Sequence, residues 1–239
     1  MIVVAVDTAT DRLSVAAGEP GGRVAVRAAD GARRHTSLLV PFADQALGEL
    51  GATLDEVEAI AISDGPGSFT GLRVAAAWAK GLARARNLAL WTASTLLVRA
   101  WPHARPGETV VGVGTAHRGE VYVAGYRFEE TAVVTVVPPR VVPAAADLPA
   151  SLAADVVVGD LDGAALGRWR WPGSPRLIGA PDGLPDAADL IALIGLPGAA
   201  HRVEAPAIWE PTYGRLAEAQ VKWEQAHGQP LFDSIGDGR

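Results

Sequence analysis

The chain has 239 residues, of which 49% are apolar and 20% are charged, a balance typical of a folded globular protein rather than a disordered or fibrous one. Cysteine is absent, which excludes disulfide bonds, thiolate metal ligands and cysteine nucleophiles, and the formal charge of −6 opposes strong autonomous binding to nucleic acid. The sequence shows no basic leader and no apolar run approaching about 20 residues, so we expect a cytoplasmic protein with no membrane partner.

The residue pattern over 1–101 predicts an antiparallel meander followed by alternating helices and strands. Runs of β-branched and apolar residues indicate strands at 2–6, 13–17, 23–29, 57–62 and 88–93. Apolar residues at helical spacing predict helices over 36–50, 72–85 and 94–101, the first with Thr36 as its N-cap and Gly51 at its end. A strand therefore leads into the glycine-rich segment 65–71, and a helix leads out of it.

The second half of the chain repeats this theme after Pro102 and Pro106, which mark a boundary between two lobes near residue 102. Strands are predicted at 110–113, 120–128, 133–142 and 155–158, and helices at 144–154, 187–194 and 216–227. We expect a first lobe over 1–102, a smaller second lobe over 103–205, and a C-terminal helix with a loose tail over 206–239.

The segment from Gly65 to Gly71, Gly-Pro-Gly-Ser-Phe-Thr-Gly, is the strongest local signal. Its glycines permit close backbone approach, Ser68 or Thr70 can cap the following helix, and such a loop can bind an anion. It lacks the Gly-Lys-Ser/Thr ending of a phosphate-binding P-loop, because Leu72 follows Gly71. A tight turn between strand and helix explains the same spacing.

The polar turn Asp7-Thr8-Ala9-Thr10 directly follows the first predicted strand. A carboxylate and two hydroxyls at this position could face a nucleotide phosphate or its magnesium ion. The same residue types are good turn formers, so a purely structural role is the alternative.

The usual patterns of catalytic residues are missing from the sequence. The five histidines include no i, i+4 pair, and Ser68 lacks the Gly-x-Ser-x-Gly spacing of a nucleophile elbow. We therefore predict no catalytic residue and no metal ligand.

A series of short motifs follows one another along the chain. They are Arg34-His35-Thr36 before a Leu-Leu-x-Pro helix, the stretch from Asp64 to Arg73, Lys80-Gly81-Leu82-Ala83, Ala93-Ser94-Thr95-Leu96, Gly119-Glu120-Val121-Tyr122 and Pro211-Thr212-Tyr213-Gly214-Arg215. In their order and spacing they resemble the TsaB family, also called YeaZ. The resemblance is dense over residues 1–100 and patchy over 101–215. One departure is Thr115-Ala116-His117, where the family commonly has Asp-Ala-Arg.

The resemblance implies an α/β fold of two lobes, the actin-like ATPase (ASKHA) architecture shared by sugar kinases, Hsp70 and actin. It further implies a non-catalytic subunit that pairs with its paralogue TsaD for threonylcarbamoylation of the adenosine next to the anticodon of tRNA. TsaE and tRNA would be reached through TsaD, and a homodimer could form in its absence. The chain would hold no cofactor of its own, although ATP or ADP could bind at the interface with the partner.

Two sets of residues follow from this resemblance. The nucleotide-facing set comprises Asp7, Thr8, Thr10, Gly65, Gly67, Ser68, Thr70 and Gly71. The interface set comprises Leu38, Leu39, Phe42, Leu47, Arg73, Ala76, Ala77 and Lys80, on helices 36–50 and 72–85. Helix 36–50 carries two adjacent apolar stripes, more than one core-facing seam requires, so a surplus stripe would meet the partner. The alternative is that both stripes are buried within the monomer.

A different class of function remains open from the sequence. The Asp7 turn and the glycine-rich segment would also suit an autonomous nucleotide-dependent kinase or ATPase of the same superfamily, which predicts nucleotide binding by the isolated chain. Against it, the second half offers no second obvious phosphate loop. A peptidase is disfavoured because metal ligands and a nucleophile dyad are not found in the pattern.

Overall fold

A computed structural model describes residues 1–31, 34–116, 119–143, 148, 150–214 and 227. Its strands are β1 (Ile2–Asp7), β2 (Arg12–Gly18), β3 (Val24–Asp30), β4 (Val57–Ser63), β5 (Ala89–Ala93), β6 (Thr109–Thr115), β7 (Glu120–Phe128), β8 (Val133–Pro143), β9 (Val156–Gly159), β10 (Arg176–Ile178) and β11 (His201–Arg202). Its α-helices are α1 (His35–Leu50), α2 (Phe69–Arg86), α3 (Thr95–Ala100), α4 (Gly163–Leu166) and α5 (Ala187–Leu193). Short 3-10 turns span Leu54–Glu56, Trp101–His103 and Ala150–Leu152.

The first sheet has the strand order β11-β5-β4-β1-β2-β3. β1, β2 and β3 form the antiparallel meander predicted from the sequence, whereas β4 and β5 run parallel to β1. β1 is central and is buried from Val3 to Asp7, which explains its continuous apolar run. The parallel pairing brings the carboxyl ends of β1, β4 and β5 to the same edge of the sheet.

The second sheet repeats the plan of the first. Its order is β10-β9-β6-β7-β8, with an antiparallel meander of β6, β7 and β8 and two further strands parallel to β6. The two sheets therefore share one strand pattern: β3-β2-β1-β4-β5 in the first lobe corresponds to β8-β7-β6-β9-β10 in the second. This duplicated, two-lobed α/β arrangement is the actin-like fold, and the expected fold class is confirmed.

The helices pack on three different surfaces. α1 and α2 lie against the first sheet through buried residues that include Leu39, Leu47, Ala75 and Ala79. α5 contacts β1, β2 and β4 of the first sheet, and α3 contacts β6, β7 and β9 of the second. α3 follows the first lobe in sequence and α5 follows most of the second, so each lobe contributes a helix to the core of the other.

Several element boundaries differ from the prediction. α1 begins at His35 with Arg34 as its N-cap residue, so Thr36 lies within the first turn and the prediction that it caps the helix is wrong. α2 begins three residues earlier than predicted because Ser68 takes the N-cap position. In the described part of the predicted helix 144–154, only the turn Ala150–Leu152 is helical, and it is a 3-10 turn.

The chain returns to the first lobe after residue 200. β11 pairs with β5, and Val203 and Trp209 pack against the apolar core beneath α1 and α2. The predicted helix 216–227 lies outside the described residues except for His227, so it stays a prediction. The proposed ranges of the two lobes and the tail likewise stay predictions.

Candidate functional site

The polar turn after β1 packs directly against the glycine-rich segment. The Thr8 hydroxyl donates a hydrogen bond to the Gly71 carbonyl at 2.7 Å, and the Ser68 N–H donates to the Ala9 carbonyl at 2.7 Å. Thr8 is 1% exposed, so its hydroxyl is used inside the protein. The polar turn 7–10 and the glycine-rich segment 65–71 are therefore in contact, and each donates a hydrogen bond to a backbone carbonyl of the other.

Two glycines make this close approach possible. A Cβ at Gly71 would overlap the Thr8 carbonyl oxygen, and a Cβ at Gly67 would overlap the Ala9 carbonyl oxygen. The Gly71 N–H also donates to the Ser68 hydroxyl at 3.2 Å, the capping contact predicted for this serine. The turn between β4 and α2 is thus held by direct contacts with Thr8 and Ala9 in the turn after β1.

The remaining nucleotide-facing candidates have different environments. Gly65 is buried and its carbonyl accepts the Thr95 N–H at 2.9 Å. The Thr10 hydroxyl accepts the Arg12 N–H at 3.2 Å, whereas Thr70 is exposed at the start of α2. A nucleotide-facing role for this set stays a prediction, and among the described residues most of its polar groups already have partners within the chain.

The carboxyl ends of β1 and β4 carry two acidic groups. Asp7 is 1% exposed, and its carboxylate accepts the Ser63 hydroxyl and the Ala9 N–H, the latter at 3.1 Å. Burial raises the pKa of the Asp7 carboxyl, against the opposing effect of the Ser63 hydrogen bond. Burial also raises the pKa of Asp64, which follows β4, to about 6, with the Thr92 hydrogen bond opposing.

Arg99 connects this edge with the second lobe. It lies on α3, is 1% exposed, and its guanidinium donates to the Val113 carbonyl on β6. Its Nη2 lies 3.6 Å from the Asp160 carboxylate after β9, and its positive charge opposes the rise that burial causes in the pKa of Asp7. One buried cation of α3 therefore binds the strand ends β6 and β9 of the second lobe.

The departure at Thr115 has a local explanation. The Thr115 N–H and hydroxyl both donate to the Asp160 carboxylate, each at 2.9 Å. Thr115 thus holds the acceptor that faces Arg99. An aspartate at this position would keep the N–H donor but would lose the hydroxyl hydrogen bond, because an ionised carboxylate only accepts. His117 lies outside the described residues.

A groove of about 590 Å³ runs between α1 and α2 on the outside of the first lobe. It is lined by Thr36, Leu39, Val40, Phe69, Thr70, Arg73, Val74, Ala77 and Trp78. Val40 is 49% exposed, and Arg73 and Ala77 are exposed as well. Apolar residues dominate the lining, and Arg73 is the only charged residue among the described residues that line the groove.

The eight interface candidates separate into three groups by their exposure. Leu39, Leu47 and Ala76 are 2%, 3% and 5% exposed and belong to the core of the first lobe. Their side chains therefore offer little or no free surface in the isolated chain, and their part in an interface stays a prediction. Arg73 and Ala77 are exposed, and Leu38, Phe42 and Lys80 are partly buried. Lys80 is already engaged, since its Nζ donates to the Trp209 carbonyl at 2.8 Å.

Sequence reasoning missed several residues that shape these sites. Val40, Val74 and Trp78 line the groove, and Arg99 with Asp160 joins the lobes. An arginine within the otherwise apolar helix Thr95–Ala100 was a visible signal for a buried charge. Val40 carried no such signal, because an apolar residue next to Leu39 fits either a core or a surface position.

Two further features are absent from the described residues. No group of three or more His, Cys, Asp or Glu side chains there could hold a metal ion. None of the helices in the described part of the chain combines the length and apolar character that crossing a bilayer requires.

Comparison with protein families gives one match that covers more than half of the chain. The family model of TsaD, tRNA N6-adenosine threonylcarbamoyltransferase, matches residues 21–156. Among curated proteins, the chain is 36% identical over 135 residues to the tRNA threonylcarbamoyladenosine biosynthesis protein TsaB of Escherichia coli. That match covers 56% of this chain and 58% of the E. coli protein, so the chain spans little more than half the length of this relative.

Solved structures match over a larger part of the chain. YeaZ from Pseudomonas aeruginosa is 30% identical with a TM-score of 0.67, over 81% of this chain and 90% of that one. A second Pseudomonas aeruginosa structure, of an uncharacterized protein with similarity to peptidase YeaZ, is 29% identical with a TM-score of 0.72, over 90% of this chain and 99% of that one.

Proposed function

This chain belongs to the TsaB (YeaZ) family, and we propose that it acts in tRNA threonylcarbamoyladenosine biosynthesis as a subunit that docks onto a TsaD-type threonylcarbamoyltransferase. The docking surface is the groove between α1 and α2. The chemistry belongs to the partner, and this chain contributes no catalytic residue. TsaE and tRNA are engaged through the partner, and the complex works in the cytoplasm, where it meets tRNA.

The observation that carries the proposal is the groove itself. Its walls are two neighbouring helices, its lining is mostly apolar, and Val40 projects from it with 49% of its surface exposed. The fold does not need this side chain, because Leu39 and Leu47 already fill the core beneath α1. An apolar groove between helices suits an amphipathic helix of a partner, which would cover the exposed Val40 and Ala77.

The non-catalytic part of the proposal draws on the turn after β1. Thr8, Ser68 and the backbone of the loop satisfy one another, and Asp7 is buried against Ser63 and Ala9. Catalysis of phosphoryl or acyl transfer needs preorganised groups aimed at developing charge, and these groups are directed into the protein instead. ATP or ADP, where it binds, is held at the interface with the partner.

Co-expression with a tagged TsaD-type subunit of the same organism tests the proposal. The expected result is a complex whose mass equals one copy of each chain or a multiple, and tRNA threonylcarbamoylation that requires both. Equilibrium dialysis of the isolated chain with ATP provides the contrast, because an autonomous kinase or ATPase would bind and turn over nucleotide alone. Failure of the two chains to associate would overturn the proposal.

A further inference from the structure

The guanidinium of Arg73 is stacked on an aromatic pair at the rim of the groove. Its Cζ lies 4.2 Å from the ring centre of Phe69 and 5.8 Å from that of Tyr213. The two rings are 4.7 Å apart and tilted by 47°. Both distances fall within the roughly 6 Å range of cation–π attraction, so the rings hold the guanidinium in place.

The stack joins segments that are far apart in the sequence. Phe69 and Arg73 lie four residues apart on α2 and therefore share a helix face. Tyr213 comes from the segment after β11, which is fixed to the first lobe where the Thr212 N–H donates to the Asp64 carbonyl at 2.7 Å. Lys80 on α2 binds the same segment through the Trp209 carbonyl and the Glu210 carboxylate. The tyrosine ring is thus presented to Arg73 by tertiary contacts.

Arg73 has no carboxylate partner among the described residues, although it lies at an apolar surface. Within the described part of the chain it forms no ion pair, and it is the only charged residue that lines the groove. Its side chain is exposed, and water therefore solvates the charge in the isolated protein. Covering the groove with an apolar helix would remove that water, and an unpaired buried charge is costly.

We infer that Arg73 receives a carboxylate from the helix that docks in the groove, and that Tyr213 is the positioning residue that holds the guanidinium for it. This inference rests on the proposed function and adds the chemistry of the partner: an amphipathic helix with an acidic residue beside its apolar face. A second copy of this chain fits less well, because the described residues that line its groove would bring another Arg73 and no carboxylate.

The experiment measures binding of the purified TsaD-type subunit to the purified chain by calorimetry at about 0.05 and 0.5 M NaCl, where charge interactions are screened to different extents. Arg73→Gln should weaken binding by about tenfold or more at low salt and reduce its salt dependence, because a close charge pair is lost. Arg84→Gln is the matched control: this exposed arginine lies about 16 Å further along α2 and removes the same charge.

The role of Tyr213 is tested by a double-mutant cycle. Tyr213→Phe keeps the ring and should bind as the wild type does, whereas Tyr213→Leu should weaken binding severalfold. In the Arg73→Gln background, Tyr213→Leu should have little further effect, because the residue acts through Arg73. A purely structural role would instead give the same loss in both backgrounds and a lower melting temperature.

The outcomes separate the two proposals. If the wild-type chain does not bind the TsaD-type subunit, the proposed function and this inference both fail. If it binds and Arg73→Gln binds equally well, or loses no more than Arg84→Gln, only the acidic contact is overturned. If binding is unchanged and sedimentation shows that Arg73→Gln dissociates a homodimer, a second copy is the occupant of the groove and the inference is wrong.

Discussion

The Thr8 hydroxyl donates a hydrogen bond to the Gly71 carbonyl, across 63 residues of sequence, while the Thr8 carbonyl oxygen occupies the space where a side chain at position 71 would begin. The two residues are therefore joined both by a hydrogen bond and by close packing of their backbones. The turn after β1 and the start of α2 behave as one unit, because neither can move without breaking the buried hydrogen bond or opening a gap.

The first prediction concerns Gly71. Gly71→Ala should lower the free energy of unfolding by roughly 1–3 kcal/mol, because the added Cβ would overlap the Thr8 backbone and force the two segments apart. Gly81→Ala on the same helix meets nothing within 4 Å and should stabilise by about 0.5–1 kcal/mol. Denaturant unfolding of both variants checks this, and similar midpoints for the two would show that the loop is not tightly packed.

The second prediction compares two neighbours on α1. Leu39→Glu should cost about 3 kcal/mol or more of folding stability, because residue 39 is 2% exposed and the charge would enter the core. Val40→Glu should change stability by no more than about 0.5 kcal/mol, because its side chain is 49% exposed. Val40→Glu should nevertheless weaken binding of the TsaD-type subunit by at least about tenfold, since its carboxylate would be buried against the apolar face of the docked helix.

Thermal unfolding of each variant beside calorimetric titration with the partner separates the two effects. A variant Val40→Glu that melts normally and binds as tightly as the wild type would place the partner elsewhere on the surface. A variant Leu39→Glu that melts normally would contradict the packing of α1 on the first sheet.

The third prediction concerns the buried cation between the lobes. Arg99→Met should lower the free energy of unfolding by about 3–5 kcal/mol, because Asp160 would lose the positive charge that faces it. Arg86→Gln removes a surface pair with Asp55, whose atoms lie 2.5 Å apart, and should cost less than about 1 kcal/mol. Urea unfolding checks this, and equal losses for the two variants would exclude a special role of Arg99 in joining the lobes.

The fourth prediction is a pH dependence set by Asp189 on α5. Burial, together with the charge of Asp186, raises the pKa of the Asp189 carboxyl to about 7 from an ordinary value of 3.8. Between these two values the folded protein keeps a proton that the unfolded chain has lost. The free energy of unfolding should therefore fall as pH rises from about 4 to about 7, and this contribution is fully lost above that range.

The variant Asp189→Asn isolates this effect, because its amide has a similar shape and does not ionise. Relative to the wild type, the variant should gain melting temperature progressively as pH increases through the same range. The raised pKa values of Asp7 and Asp64 contribute with the same sign in both proteins, so they cancel in the comparison. If the difference in melting temperature between the variant and the wild type were the same at every pH, the assignment to Asp189 would be wrong.

Much of the fold follows from local patterns in the sequence. The β-branched runs at 2–6 and 57–62 give β1 and β4, and the glycine-rich segment gives a turn capped by Ser68, because these features depend on neighbours within a few residues. The prediction of a helix over 144–154 did less well: in its described part the chain forms a 3-10 turn, since alanine-rich composition alone does not supply an apolar face to bury.

The candidate sites were predictable only in part, for a physical reason. Periodicity shows that α1 is rich in apolar residues, but whether Leu39 or Val40 faces solvent depends on where α2 and the sheet lie. Arg99 is buried because the second lobe covers α3, and Arg73 is stacked because Tyr213 returns to the first lobe after 140 residues of intervening chain. The sequence by itself determined most of the strands, the capped turn and the family, whereas the short edge strands β10 and β11 were not predicted. The packing of the two lobes decided which side chains are core, which are surface and which charges meet, because those contacts join residues whose separation along the chain carries no local signal.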